Sequence, residues 1–173
     1  SEDFKDYYPS IITLLNQNLS LNPDDQNSRV LLAQTYYKAG EKQLALKTYQ
    51  NALNQSPDDL NIIILTVSAL YDTGNFEQAD EILKRASQKA IAHPQLEIFQ
   101  LESDLRHGRF TSAKKILKNM MFHNPENISL PLTMAKIDIQ QGNFTNAYET
   151  LKGLKKTNPK SLQIYSLLVD LFM

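Results

Sequence analysis

Residues 26–59 read QNSRVLLAQTYYKAGEKQLALKTYQNALNQSPDD, and the spacing inside this stretch decides the fold. Gly40 and Pro57 divide it into two intervals, each long enough for one helix of three to four turns and a short turn. Glycine adopts the left-handed backbone without a Cβ penalty, so Gly40 ends the first helix. Proline has no N–H, so Pro57 stops the second helix or sets up the next. Ala45 and Tyr49 stand four residues apart on one helix face: the small residue lets two backbones approach, and the larger one fills the space beyond. The Asp-Asp and Asn residues around Pro23 and Pro57 supply turn and N-cap chemistry.

The same beat runs outward in both directions. Gly40, Gly74, Gly108 and Gly142 follow one another at intervals of 34 residues. Ala45, Ala79, Ala113 and Ala147 each stand five residues after a glycine, and Phe76, Phe110 and Phe144 two after. Prolines keep time at Pro23, Pro57, Pro125 and Pro159; the missing beat falls on Ile91, with Pro94 three residues late. Three independent offsets at one period indicate a repeat of helix, turn and helix. A single such hairpin cannot cover its own apolar face, so neighbours must stack.

A 34-residue helical hairpin with Leu32, Ala33, Tyr36, Gly40, Ala45, Tyr49, Ala52 and Pro57 in these places resembles the tetratricopeptide repeat (TPR). The resemblance covers nearly the whole chain. Four full repeats run 26–59, 60–93, 94–127 and 128–161; residues 1–25 hold the second helix of a truncated leading repeat, and 162–173 the first helix of a further one. Arg29, Ile63, Glu97 and Pro131 replace the family's tryptophan, and Asp104 and Asp138 replace its tyrosine. The implied fold is all-α, a right-handed superhelix of antiparallel helix pairs forming one solenoid domain, with first helices lining a concave groove.

The resemblance also implies a binding face. Its groove positions here are Val30, Leu31, Gln34 and Tyr37, then Ile64, Leu65, Ser68 and Tyr71. The later repeats supply Ile98, Phe99, Glu102 and Leu105, then Leu132, Thr133, Lys136 and Ile139. That set predicts an apolar groove crossed by a polar line, suited to a peptide or helix of a partner protein, with Tyr37 and Tyr71 as the best anchors. Some of these side chains are equally expected to pack between adjacent first helices. Repeat domains that grip the acidic C-terminus of heat-shock chaperones use lysine, asparagine and arginine in the groove. Val30, Gln34, Leu65, Gln95 and Phe99 stand there instead, which excludes that ligand.

Two further features stand out. Asp104 and Asp138 recur one period apart; they are expected to face solvent or bond nearby hydroxyls or lysines rather than hold a cation. Residues 162–173 are apolar nearly all round. Either the chain belongs to a longer array, which is the preferred reading, or it forms a homodimer through this exposed C-terminal helix.

Composition narrows the function. A net charge of −1 gives no field for nucleic acid, and no apolar run approaches the length of a membrane span. The cluster Lys152, Lys155 and Lys156 reads as a solvated helix end. There is no cysteine, no His-Glu-x-x-His pattern, no phosphate loop and no nucleophile elbow, and His93, His107 and His123 fall near helix ends. No catalytic residue, metal or cofactor is expected. The sequence therefore reads as a protein–protein interaction scaffold. The alternatives are a structural spacer or assembly arm of a larger bacterial repeat protein, as in envelope or exopolysaccharide-export machinery, and a regulatory segment of a larger enzyme. The compartment, cytoplasm or bacterial periplasm, stays open.

Overall fold

The computed structural model describes residues 5–89 and 93–171. Ile91, Phe172 and Met173 lie outside the described residues, so the missing proline beat and the last two apolar positions of the 162–173 segment are not placed. Among the described residues the chain is helical, with no strand. A 3-10 turn at Lys5–Tyr7 leads into α1 (Tyr8–Leu21), followed by α2 (Gln26–Lys38), α3 (Lys42–Gln55), α4 (Leu60–Asp72) and α5 (Phe76–Gln88). Then come α6 (Pro94–Arg106), α7 (Phe110–His123), α8 (Ser129–Gln140), α9 (Phe144–Thr157) and α10 (Leu162–Asp170).

The helix ends follow from the residues at them. Asp25 Oδ1 accepts from the Ser28 N–H at 3.1 Å, and Asp59 Oδ1 from the Ile62 N–H at 3.1 Å, capping α2 and α4. Gly40 sits at φ +88°, and its turn closes with Gly40 N–H to Tyr37 O at 3.1 Å and Glu41 N–H to Tyr36 O at 2.9 Å. This Schellman geometry needs a left-handed residue, which only glycine supplies cheaply. The same bond pattern recurs after α4, α6 and α8: Asn75, Arg109 and Asn143 donate to Leu70, Asp104 and Asp138 at 2.8–2.9 Å.

The chain forms two compact units, Ser1–Gln100 and Leu101–Met173, with α6 contributing to both. In the first unit consecutive helices from α1 to α5 pack together. Their core joins Ala33, Ala45, Tyr49, Ile63, Val67 and Leu70, with Phe99 and Leu96 from the start of α6. Burying a leucine or isoleucine here contributes roughly 1.5–3 kcal/mol, and the alanines allow the close helix approach that makes such burial possible. α1 has no fully buried residue; Asn18 Nδ2 ties it to α2 through Asp25 Oδ2 and Ser28 Oγ, each at 2.8 Å.

The second unit has two smaller cores. Leu101, Ala113, Leu117, Leu130 and Ile137 form one. Leu132, Ala135, Leu151, Ile164 and Leu167 form the other, which seats α10.

Candidate partner-binding surfaces

In the first unit the binding face predicted from the sequence lies on α2, α4 and the start of α6. Leu31 is 49% exposed and Tyr37 40% exposed, while Ile98 is also open to solvent. Val30, Gln34, Ile64, Leu65, Ser68 and Tyr71 are half-buried. Phe99 is buried in the core and is therefore a packing residue.

Tyr37 and Tyr71 hold the same place in successive repeats, yet their surroundings differ. The Tyr71 hydroxyl donates to the Phe99 carbonyl at 2.9 Å, and its ring lies 4.9 Å from Phe99 and 5.5 Å from Phe76. The Tyr37 hydroxyl instead donates to the carboxylate of Asp72. That bond, with some burial and the nearby negative charge, raises the pKa of Tyr37 above its ordinary value. Asp72 was missed in the sequence reading. Its signal was present: it stands 35 residues after Tyr37, one period and one position on.

In the second unit the predicted face is more polar. Glu102 and Lys136 are exposed, and Leu105, Thr133 and Ile139 are half-buried. Leu132 on α8 is buried in a core with Leu151 of α9 and Ile164 and Leu167 of α10, and packs rather than binds.

The two aspartates standing where tyrosine is usual are both buried. Asp104 Oδ1 accepts from Arg109 Nε at 2.8 Å, and Arg109 Nη2 also reaches Ser103 Oγ at 2.7 Å. Asp138 Oδ1 accepts from Lys114 Nζ at 2.5 Å, and the same ammonium reaches Gln141 Oε1 at 2.6 Å. Asp104 on α6 thus ties to the turn that leads into α7, and Asp138 on α8 ties back to α7. Of the two alternatives expected for these aspartates, solvent exposure holds at neither and bonding to a nearby lysine holds at Asp138, while an arginine takes that part at Asp104; in both cases a cation within reach offsets the cost of burial. The tryptophan place is filled by different means. Arg29 donates to Gln26 Oε1 at 2.8 Å and also bonds Gln55 and the Pro23 carbonyl, whereas Ile63 is buried.

A cleft of about 100 Å³ opens beside Ile63, lined by Pro57, Ile82 and Ala86 with the Asp58–Lys89 ion pair at its rim. It is well below the few hundred Å³ of a usual small-molecule site. Among the described residues no group of His, Cys, Asp or Glu could hold a metal ion, and no helix is long and apolar enough to cross a membrane.

A family model for the tetratricopeptide repeat matches residues 104–171. One described as anaphase-promoting complex, cyclosome, subunit 3 matches residues 5–95, more than half of the chain. This chain belongs to the tetratricopeptide-repeat family. No curated protein gives a match to the sequence. Solved structures agree on the fold. A tetratricopeptide repeat protein from Parabacteroides merdae superposes with TM-score 0.77 at 18% identity, covering 99% of this chain and 69% of that one. Pseudomonas aeruginosa pilF gives TM-score 0.62 at 16% identity, covering 98% of both chains. YrrB, described as a TPR protein with an unusual peptide-binding site, gives 0.68 at 11% identity over 91% of this chain and 90% of its own. The TPR family generally provides non-catalytic scaffolds, and its fold suits protein–protein interaction.

Proposed function

We propose that this TPR protein is an interaction scaffold whose first unit holds an extended peptide or a helix of a partner protein against α2 and α4. The exposure of Leu31 and Tyr37 carries the reading. On α2 and α4 most apolar residues are buried or half-buried, yet these two leave apolar area in water beside the half-buried Val30, Ile64 and Leu65. An amphipathic anchor such as tyrosine contributes most where one edge is packed and the other wet. The Tyr37–Asp72 bond fixes the ring before binding, which lowers the entropic cost of association. Ligand side chains would insert between the two helices, with Gln34 and Ser68 available to bond a peptide backbone. The description of YrrB as a peptide-binding TPR protein is consistent with this use of the fold.

The test is selection of peptides from a random display library on the intact chain, followed by titration of the best peptide. Leu31→Ala and Tyr37→Ala should each weaken binding about tenfold, the usual size for an interface anchor. Phe122→Ala, an exposed residue on α7, should leave it unchanged. Equal affinity of all three variants would refute the assignment.

A further inference from the structure

Three first helices end on the same recurring place, and α4 reverses its charge. α2 ends on Lys38 and α6 on Arg106, 34 residues either side of Asp72, which ends α4. A cation suits a helix C-terminus, whose unpaired carbonyls carry partial negative charge; a carboxylate there adds to that charge instead of offsetting it. Asp72 is nevertheless exposed and held in place, because the Tyr37 hydroxyl donates to its Oδ2. That bond orients the carboxylate without neutralising it. Among the described residues no cationic side chain pairs with Asp72.

Asp72 also closes a line along α4. Leu65, Ser68 and Asp72 stand at i, i+3 and i+7, so an apolar contact, a hydroxyl and a carboxylate share one helix face. Leu31 and Gln34 hold the first two places on α2. Gln34 and Ser68 can bond a peptide main chain, which an extended peptide offers and a helix has already spent on itself. From Leu65 to Asp72 the face runs roughly 10 Å at about 1.5 Å per residue. An extended chain advances about 3.3 Å per residue with alternating side chains, so a residue two places from an apolar anchor projects to the same side. The stem of an arginine or lysine covers the remaining distance. The surrounding charge has the same sense: residues 1–100 carry eight basic and thirteen acidic side chains, a net of −5. Lys38 is already matched to its own helix end.

We infer that the ligand of this face is a cationic extended peptide, which sets an aliphatic side chain against Leu31 and Leu65 and an arginine or lysine two residues away on Asp72. This ligand class presupposes the groove on α2 and α4 proposed above. The experiment is selection from a random peptide display library on the intact chain and, in parallel, on Asp72→Asn, whose amide oxygen still accepts from Tyr37. The wild type should enrich peptides with an arginine or lysine two residues from a leucine, isoleucine or valine, and Asp72→Asn should not. The best peptide, synthesised with that basic residue as arginine and as glutamine, is then titrated against both chains. Removing either charge should weaken binding about fivefold, near the upper size for a partly exposed ion pair, and removing both should cost no more than removing one. About 1 M salt should erase the difference. Selected peptides with no basic residue, an acidic residue in its place, or equal affinity for the wild type and Asp72→Asn would overturn the cationic ligand. If Leu31→Ala and Tyr37→Ala still weaken such peptides, the groove itself stands. A library that yields no binder, or binders indifferent to Leu31→Ala and Tyr37→Ala, removes the groove and this ligand with it.

Discussion

The hydroxyl of Tyr71 donates to the main-chain carbonyl of Phe99 at 2.9 Å, joining α4 to α6. Tyr71 is thereby committed to packing, while Tyr37, one repeat earlier, keeps an exposed edge. Removing each side chain should separate the two roles. Tyr71→Ala should destabilise the first unit by about 3 kcal/mol through lost packing, and Tyr71→Phe by about 1 kcal/mol through the lost hydrogen bond. Tyr37→Ala should cost less than about 1 kcal/mol, as for other surface changes. Urea unfolding of the three variants checks the order, and equal losses at both tyrosines would contradict it.

Two glycines of the second unit should respond to alanine with opposite signs. Gly142 sits at φ +73°, and Gly153 lies within α9; an added Cβ would meet nothing within 4 Å at either. Backbone conformation alone therefore decides. Gly142→Ala should destabilise by about 1–2 kcal/mol, the penalty of the left-handed region. Gly153→Ala should stabilise by about 0.8–1 kcal/mol, the helix-propensity difference. Thermal midpoints moving in opposite directions are the expected result.

The Lys114–Asp138 pair should behave as a unit. Lys114→Met leaves a buried carboxylate without its ammonium partner and should cost about 3 kcal/mol. Adding Asp138→Leu removes the stranded charge and should restore part of that loss. A double variant no more stable than Lys114→Met would show that the carboxylate is not the source of the penalty.

Burial, with a smaller contribution from Tyr37, pushes the Tyr49 phenol up to about 12 from 10.0. The raised folded-state value means that its stabilising contribution is complete below pH 10 and is lost as pH rises through about 12. Of the eight tyrosines, Tyr49 should be among the last to ionise in a spectrophotometric titration. Tyr49→Phe should flatten the loss of stability across that alkaline window. An unchanged pH profile would remove Tyr49 from its cause.

Local rules carried much of the fold into the sequence. Gly40, Gly74, Gly108 and Gly142 are the positive-φ turns because no other residue type adopts that backbone cheaply, and Ala45, Ala79, Ala113 and Ala147 are all fully buried at one recurring place. The binding face was legible only as a set of positions. Whether a side chain at such a position faces solvent depends on what the next repeat presents, and the period does not encode that. Phe99 and Leu132 fall into cores because their neighbours leave room for them. Asp104 and Asp138 are buried with cations in reach, Arg109 from later in the same repeat and Lys114 from the repeat before. Spacing showed the aspartates recurring but not which cations would meet them.

The central claim is that a peptide lies against the first helices of the first unit. Amide hydrogen exchange with a library-selected peptide bound tests it most directly. Protection should rise in α2 and α4, around Leu31 to Tyr37 and Ile64 to Tyr71, and stay unchanged in α7 and α9. Added protection confined to α7 and α9, with none in α2 or α4, would contradict the account.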